Sequence, residues 1–135
     1  PPTASAYVGA AEGIDVTTAV IAAQTATIQA GYVAQSGATL VEFATPEETV
    51  AAVRNGEADA VFADKDYLAP LVEESAGALM FVGEEVPLGG GVGMGLRESD
   101  TDLKEKFDAA ITAMKADGSL NALLIKWFGE GTITY

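Results

Sequence analysis

Between residues 19 and 82, short apolar runs alternate with helix-length segments, and nothing else in the sequence restricts the fold as strongly. The runs at 19–24, 39–43, 59–63 and 78–82 have the length of buried strands and are bounded by turn residues. The segments between them are long enough for crossover helices. The order therefore reads βαβαβαβ, an α/β fold predicted to be a three-layer αβα lobe with a mostly parallel sheet.

Local signals at the helix ends agree with this order. Thr27 is placed to cap a helix over 28–35. Thr45-Pro46-Glu47-Glu48 combines an N-cap, a proline at the first helical position and a capping-box acid at the third, for a helix stopping at Gly56. A third helix over 65–74 sets Tyr67, Leu68, Leu71 and Val72 on one face and is closed by Gly77.

The flanks read differently. Residues 1–18, with Pro1, Pro2, Gly9 and Gly13 and weak periodicity, are expected to be a hinge leading into the domain, so that the lobe occupies 19–88. In the third segment, 89–135, a Gly-rich run over 89–96 is expected to be extended. Ser99 or Asp100 then starts a helix carrying Leu103, Phe107, Ile111 and Met114, and a last helix over 120–128 is anchored by Leu123, Leu124, Trp127 and Phe128.

Composition narrows the chemistry. The chain has 135 residues, enough for one core. Its net charge of −13 repels a phosphate backbone or an anionic membrane, which argues against nucleic acid as a partner. With no His and no Cys, imidazole and thiolate metal sites and the usual nucleophile pairs are excluded. The pairs Glu47-Glu48, Glu73-Glu74 and Glu84-Glu85 read as solvated faces or caps, with no calcium-loop pattern around them. The run over 89–95 does not fit G-x-G-x-x-G in any register, so no nucleotide cofactor is indicated, and no metal, cofactor or catalytic residue is assigned.

In a parallel α/β sheet, ligands sit beyond the carboxyl ends of the strands. Two places qualify. Gln24-Thr25-Ala26-Thr27 ends one run and opens a helix, offering hydroxyls and free amide N–H groups that suit a carboxylate. The same threonines also serve as ordinary helix caps. Asp64 follows the run 59–63 directly and could accept from an ammonium group, or simply cap the helix that starts at Lys65.

Four stretches together carry a family resemblance. The run Ile21-Ala22-Ala23-Gln24-Thr25-Ala26-Thr27, with Tyr32 five residues later, resembles an element of the polar amino-acid solute-binding proteins of bacterial ABC transporters. Arg54-Asn55-Gly56-Glu57-Ala58-Asp59-Ala60-Val61-Phe62-Ala63-Asp64 resembles a second. Gly91-Val92-Gly93-Met94-Gly95-Leu96-Arg97 with Asp102-Leu103-Lys104-Glu105-Lys106-Phe107, and Lys115-Ala116-Asp117-Gly118-Ser119 with Lys126-Trp127-Phe128, are similar to its ending. The similarity runs from about Ile14 to Gly129.

The resemblance implies a two-lobed periplasmic protein of the type II binding fold that closes on an amino acid and delivers it to a membrane permease. This chain would then be the second lobe plus the C-terminal segment, without its export signal. Thr27 and the backbone of Ala26 would hold the ligand carboxylate, with Thr25 beside them, and Asp64 would take the ammonium. Two of the family's glycines are Ala22 and Ala26 here, which crowds the cradle. The family is nearly twice as long, and its first lobe carries the arginine that pairs with the carboxylate, a position matched by neither Arg54 nor Arg97. The segment 89–135 would normally cross to that lobe, so its helices are expected to expose apolar surface and favour self-association. An enzyme on the same scaffold, of the dehydratase kind, and the sensor module of a receptor are the alternative readings.

Overall fold

The computed structural model describes residues 4–90, 93–130, 132, 134 and 135. In chain order the elements are β1 (Ala4–Gly9), β2 (Val20–Gln24), α1 (Ile28–Ser36), β3 (Thr39–Phe43), α2 (Pro46–Arg54), β4 (Ala60–Asp64), α3 (Lys65–Glu74), β5 (Met80–Pro87), α4 (Thr101–Ala116) and α5 (Ser119–Phe128). They fall into two compact units, the first carrying β1 to β5 with α1 to α3 and the second α4 and α5.

The strands form one sheet in the order β3-β2-β4-β1-β5. Strands β3, β2 and β4 are parallel neighbours, while β1 pairs antiparallel with both β4 and β5, so four of the five strands share a direction. The chain leaves β2 to one side to reach β3 and returns past it to β4. That reversal puts a topological switch point between β2 and β4, where the carboxyl ends of neighbouring strands diverge.

Alternation along the strands sorts the core into two faces. Ala6 and Val8 of β1, Ala22 of β2 and Val61 of β4 face Val50 and Val53 of α2 and Leu68 of α3. Tyr7, Ile21, Ala60 and Phe62 point the other way, toward Val33 of α1. The Tyr7 and Phe62 rings stack with centroids 4.1 Å apart, and Tyr32 of α1 lies 5.5 Å from Phe62.

The helix boundaries follow their capping residues. Thr27 accepts from the Ala30 N–H at the start of α1, and both bonds of the capping box join Thr45 and Glu48 at α2.

The segment 1–18, expected from its weak periodicity to be a hinge leading into the domain, contains a strand. Ala4–Gly9 is a strand inside the sheet, with Ser5, Ala6, Tyr7 and Val8 buried, and Ile14 and Val16 pack on the α1 face. Small residues dominate β1, so it lacks the bulky alternation that marks a strand, and its pairing partners lie more than fifty positions away. Its end also requires glycine: a Cβ on Gly9 would stand 2.5 Å from Ile14 Cδ1 and 3.1 Å from the Asp59 carbonyl oxygen. Pro1, Pro2 and Thr3 lie outside the described residues.

Gly91 and Val92 of the glycine run also lie outside the described residues, and residues 93–97 carry no helix or strand. In the second unit no residue of α4 is buried, and Leu124 is the one buried residue of α5. Trp127 and Phe128 are 72% and 65% exposed.

Candidate functional site at the switch point

Strand β2 ends at Gln24, and the chain turns through Thr25 and Ala26 into α1. Ala26 takes φ +62°, in the left-handed region that L side chains enter at a cost of about 1–2 kcal/mol. The family's usual glycine would meet no such cost. The Thr25 N–H donates to the Phe43 carbonyl at 2.9 Å, continuing the β2–β3 pairing, and the Thr25 side chain is exposed.

Thr27 sits at the N-cap with extended backbone. Its Oγ1 accepts from the Ala30 N–H at 3.2 Å and donates to the Gln24 carbonyl at 2.7 Å, so its hydroxyl is used in capping. What this turn offers a carboxylate is chiefly the remaining first-turn N–H groups of α1 together with the positive end of the helix dipole.

Strand β4 passes into α3 without a loop, and Asp64 is the last strand residue and the helix N-cap at once. Its carboxylate makes no capping bond to α3. Instead Oδ1 accepts from Gln29 Nε2 at 2.8 Å. The helix-cap reading of Asp64 is therefore not how this side chain is used, whereas for Thr27 capping is observed.

Thr27 and Asp64 line one cleft of about 100 Å³, together with Gln24, Gln29, Pro46, Thr49, Phe62, Ala63 and Tyr67. Thr25 and Ala26 are not among its lining residues. Burial raises the Tyr67 phenol above its usual pKa, the Glu47 carboxylate adds to this, and Arg54 opposes it. Tyr67 is thus a neutral phenol at neutral pH. Lys65, beside Asp64, pairs with Glu85 of β5. Among the described residues no group of three Asp, Glu, His or Cys side chains could hold a metal.

Gln29 and Tyr67 were not singled out as site residues by sequence reasoning. A signal for Gln29 does exist: it is the polar residue on the helix face that carries Ala30 and Val33 toward the sheet.

An αβα lobe whose parallel strands bring a helix N-terminus and a carboxylate to one cleft at the switch point defines a class, the solute-binding proteins. The model of the bacterial extracellular solute-binding proteins, family 3, matches residues 1–130, and the chain belongs to that family. A periplasmic His/Glu/Gln/Arg/opine family-binding protein from Silicibacter pomeroyi, crystallised in complex with lysine, is 72% identical, with a TM-score of 0.88 over 100% of this chain and 62% of its own. The arginine-binding periplasmic protein of Mannheimia haemolytica is 31% identical over 91 residues, 64% of this chain and 38% of the relative. An ancestral arginine-binding protein bound to arginine shares the fold, with a TM-score of 0.78 at 24% identity over 96% of this chain. The chain spans well under half the length of the curated relatives it matches.

Proposed function

We propose that this chain forms one wall of the amino-acid site in the extracytoplasmic binding component of an ABC importer, which takes up ligand by reversible binding, without chemical conversion, and hands it to the membrane permease. The observation that carries the reading is the placement of Asp64 and the α1 N-terminus at the carboxyl ends of adjacent parallel strands, around a single cleft. The two ends of a zwitterion require a carboxylate on one side and amide donors on the other.

In this reading Asp64 takes the α-ammonium, while Thr27 and the backbone at Ala26 take the α-carboxylate, with Thr25 at the rim. The ligand class is a basic or polar amino acid. Relatives named for arginine and one crystallised with lysine support this, and so does a net charge of −13, which draws in a cation. Residues 19–88 are read as the second lobe and residues 89–135 as the segment that returns to the other lobe.

The test is an amide NMR titration of the chain with lysine, arginine, glutamine and glutamate. Expected are shifts confined to Thr25, Ala26, Thr27, Gln29 and Asp64 with the basic ligands. A folded spectrum that none of the four moves would overturn the reading for this chain.

A further inference from the structure

Gln29 is a buried primary amide in the first turn of a helix that otherwise turns Ala30 and Val33 to the sheet. An amide in that setting is tolerated only when its polar atoms are paired. Nε2 donates to Asp64 Oδ1 at 2.8 Å and to Ser5 Oγ at 3.1 Å, which uses both of its N–H bonds. The two acceptors are not independent. Ser5 and Asp64 stand directly opposite each other in the antiparallel pairing of β1 with β4, so one amide spans a cross-strand pair on the face that α1 covers.

This arrangement fixes the amide's orientation. Turned over, Gln29 would set its carbonyl oxygen against the Asp64 carboxylate, which cannot donate, whereas the Ser5 hydroxyl can pair with either end. It also fixes Asp64. An aspartate at a helix N-cap ordinarily folds its side chain onto the first-turn amides, and here that bond is absent while the bond to Gln29 is present.

We infer that Gln29 is the positioning residue of this site: it draws Asp64 off the α3 N-terminus and holds it toward the cleft, with Oδ1 occupied and Oδ2 left for the ligand. The consequence for selectivity is chemical. A carboxylate with one oxygen already engaged offers chiefly the other, which suits the point charge of an ammonium. A guanidinium makes its strongest contact with both carboxylate oxygens in parallel. Asp64 so held therefore favours an amine over a guanidinium. The inference rests on the amino-acid reading for its ligand, but the positioning itself is a property of the chain alone.

The test is the side-chain conformation of Asp64 in isotopically labelled chain, read from the three-bond couplings of its β protons. In the parent these are expected to be those of one rotamer. In Gln29→Met, which keeps length and removes the donors, they are expected to average over several rotamers while the amide spectrum elsewhere is retained. A single unchanged Asp64 rotamer in Gln29→Met overturns the inference. If that variant does not fold, Gln29→Ala, which removes the amide while keeping a good helix former, is read in the same way with the same two outcomes. Added lysine separates this from the functional reading. An Asp64 Cγ shift in the parent with about tenfold weaker binding in Gln29→Met supports both. No response to lysine in the parent removes the amino-acid reading and leaves the coupling result to decide the role of Gln29.

Discussion

Asp59 and Val20 hold each other twice: the Asp59 N–H donates to the Val20 carbonyl at 2.8 Å, and the Val20 N–H donates to Asp59 Oδ2, also at 2.8 Å. The two residues lie 39 positions apart and stand at the starts of β2 and β4, the strands whose far ends form the cleft. The pair therefore helps to set where Gln24 and Asp64 finish relative to each other. Replacing Asp59 by Ala leaves the Val20 N–H without its acceptor at an exposed strand start. A loss of about 1 kcal/mol is expected, read as a lower urea midpoint with unchanged slope.

Ala26 gives a prediction of the opposite sign. Its φ of +62° is one a glycine adopts freely. Ala26→Gly removes a strain of about 1–2 kcal/mol and adds an unfolded-state entropy cost of about 0.5–1 kcal/mol. A gain of under about 1 kcal/mol is expected in chemical denaturation. Ala26→Val, β-branched at the same φ, should destabilise.

Asp64→Asn tests the site directly. It keeps the shape and an acceptor for Gln29 but removes the charge offered to an ammonium. Lysine affinity, measured by calorimetry, should fall by about thirtyfold or more while the thermal midpoint changes little. Equal affinity in parent and variant would remove Asp64 from the site.

The turn that closes residues 15–19 titrates. The Thr17 hydroxyl and N–H both donate to Asp15 Oδ1, at 2.6 and 3.0 Å, and these bonds hold the Asp15 carboxyl below the usual aspartate range. A folded pKa below the unfolded value, about 3.9, gives stability that is complete above that pH and lost as pH falls through the folded value. The urea midpoints of parent and Asp15→Ala should differ at neutral pH and converge as pH falls below the usual aspartate range.

Exposed apolar side chains on α4 and α5 give the last expectation. Leu103, Phe107 and Ile111 recur at helical spacing on α4 and are 37–42% exposed, and Trp127 and Phe128 lie open on α5. Contiguous apolar surface of this kind favours association with a second copy. Sedimentation should show a mass that rises with concentration and a monomer at the same concentrations for the double variant Phe107→Ser, Trp127→Ser. A parent that stays monomeric at high concentration would refute it.

What the sequence by itself determined is local. The strands β2 to β4, the start of β5 and all five helices were legible because caps, prolines and apolar periodicity act within a few residues: Thr27 for α1 and Thr45-Pro46-Glu48 for α2; β5 runs on to Pro87, past the expected 78–82. Asp64 at a strand end and Thr27 at a helix start were legible for the same reason, and the family resemblance gave both a ligand role. Tertiary structure decided the rest. β1 has no strong local signal and gains its place from partners on β4 and β5. The hydrogen bonds of Gln29 span 24 and 35 positions, and they settle whether Asp64 caps a helix or faces a cleft. The left-handed turn at Ala26 likewise forms against the residue's own preference, because β2 and α1 are each held by the sheet and the chain between them has few ways to join them.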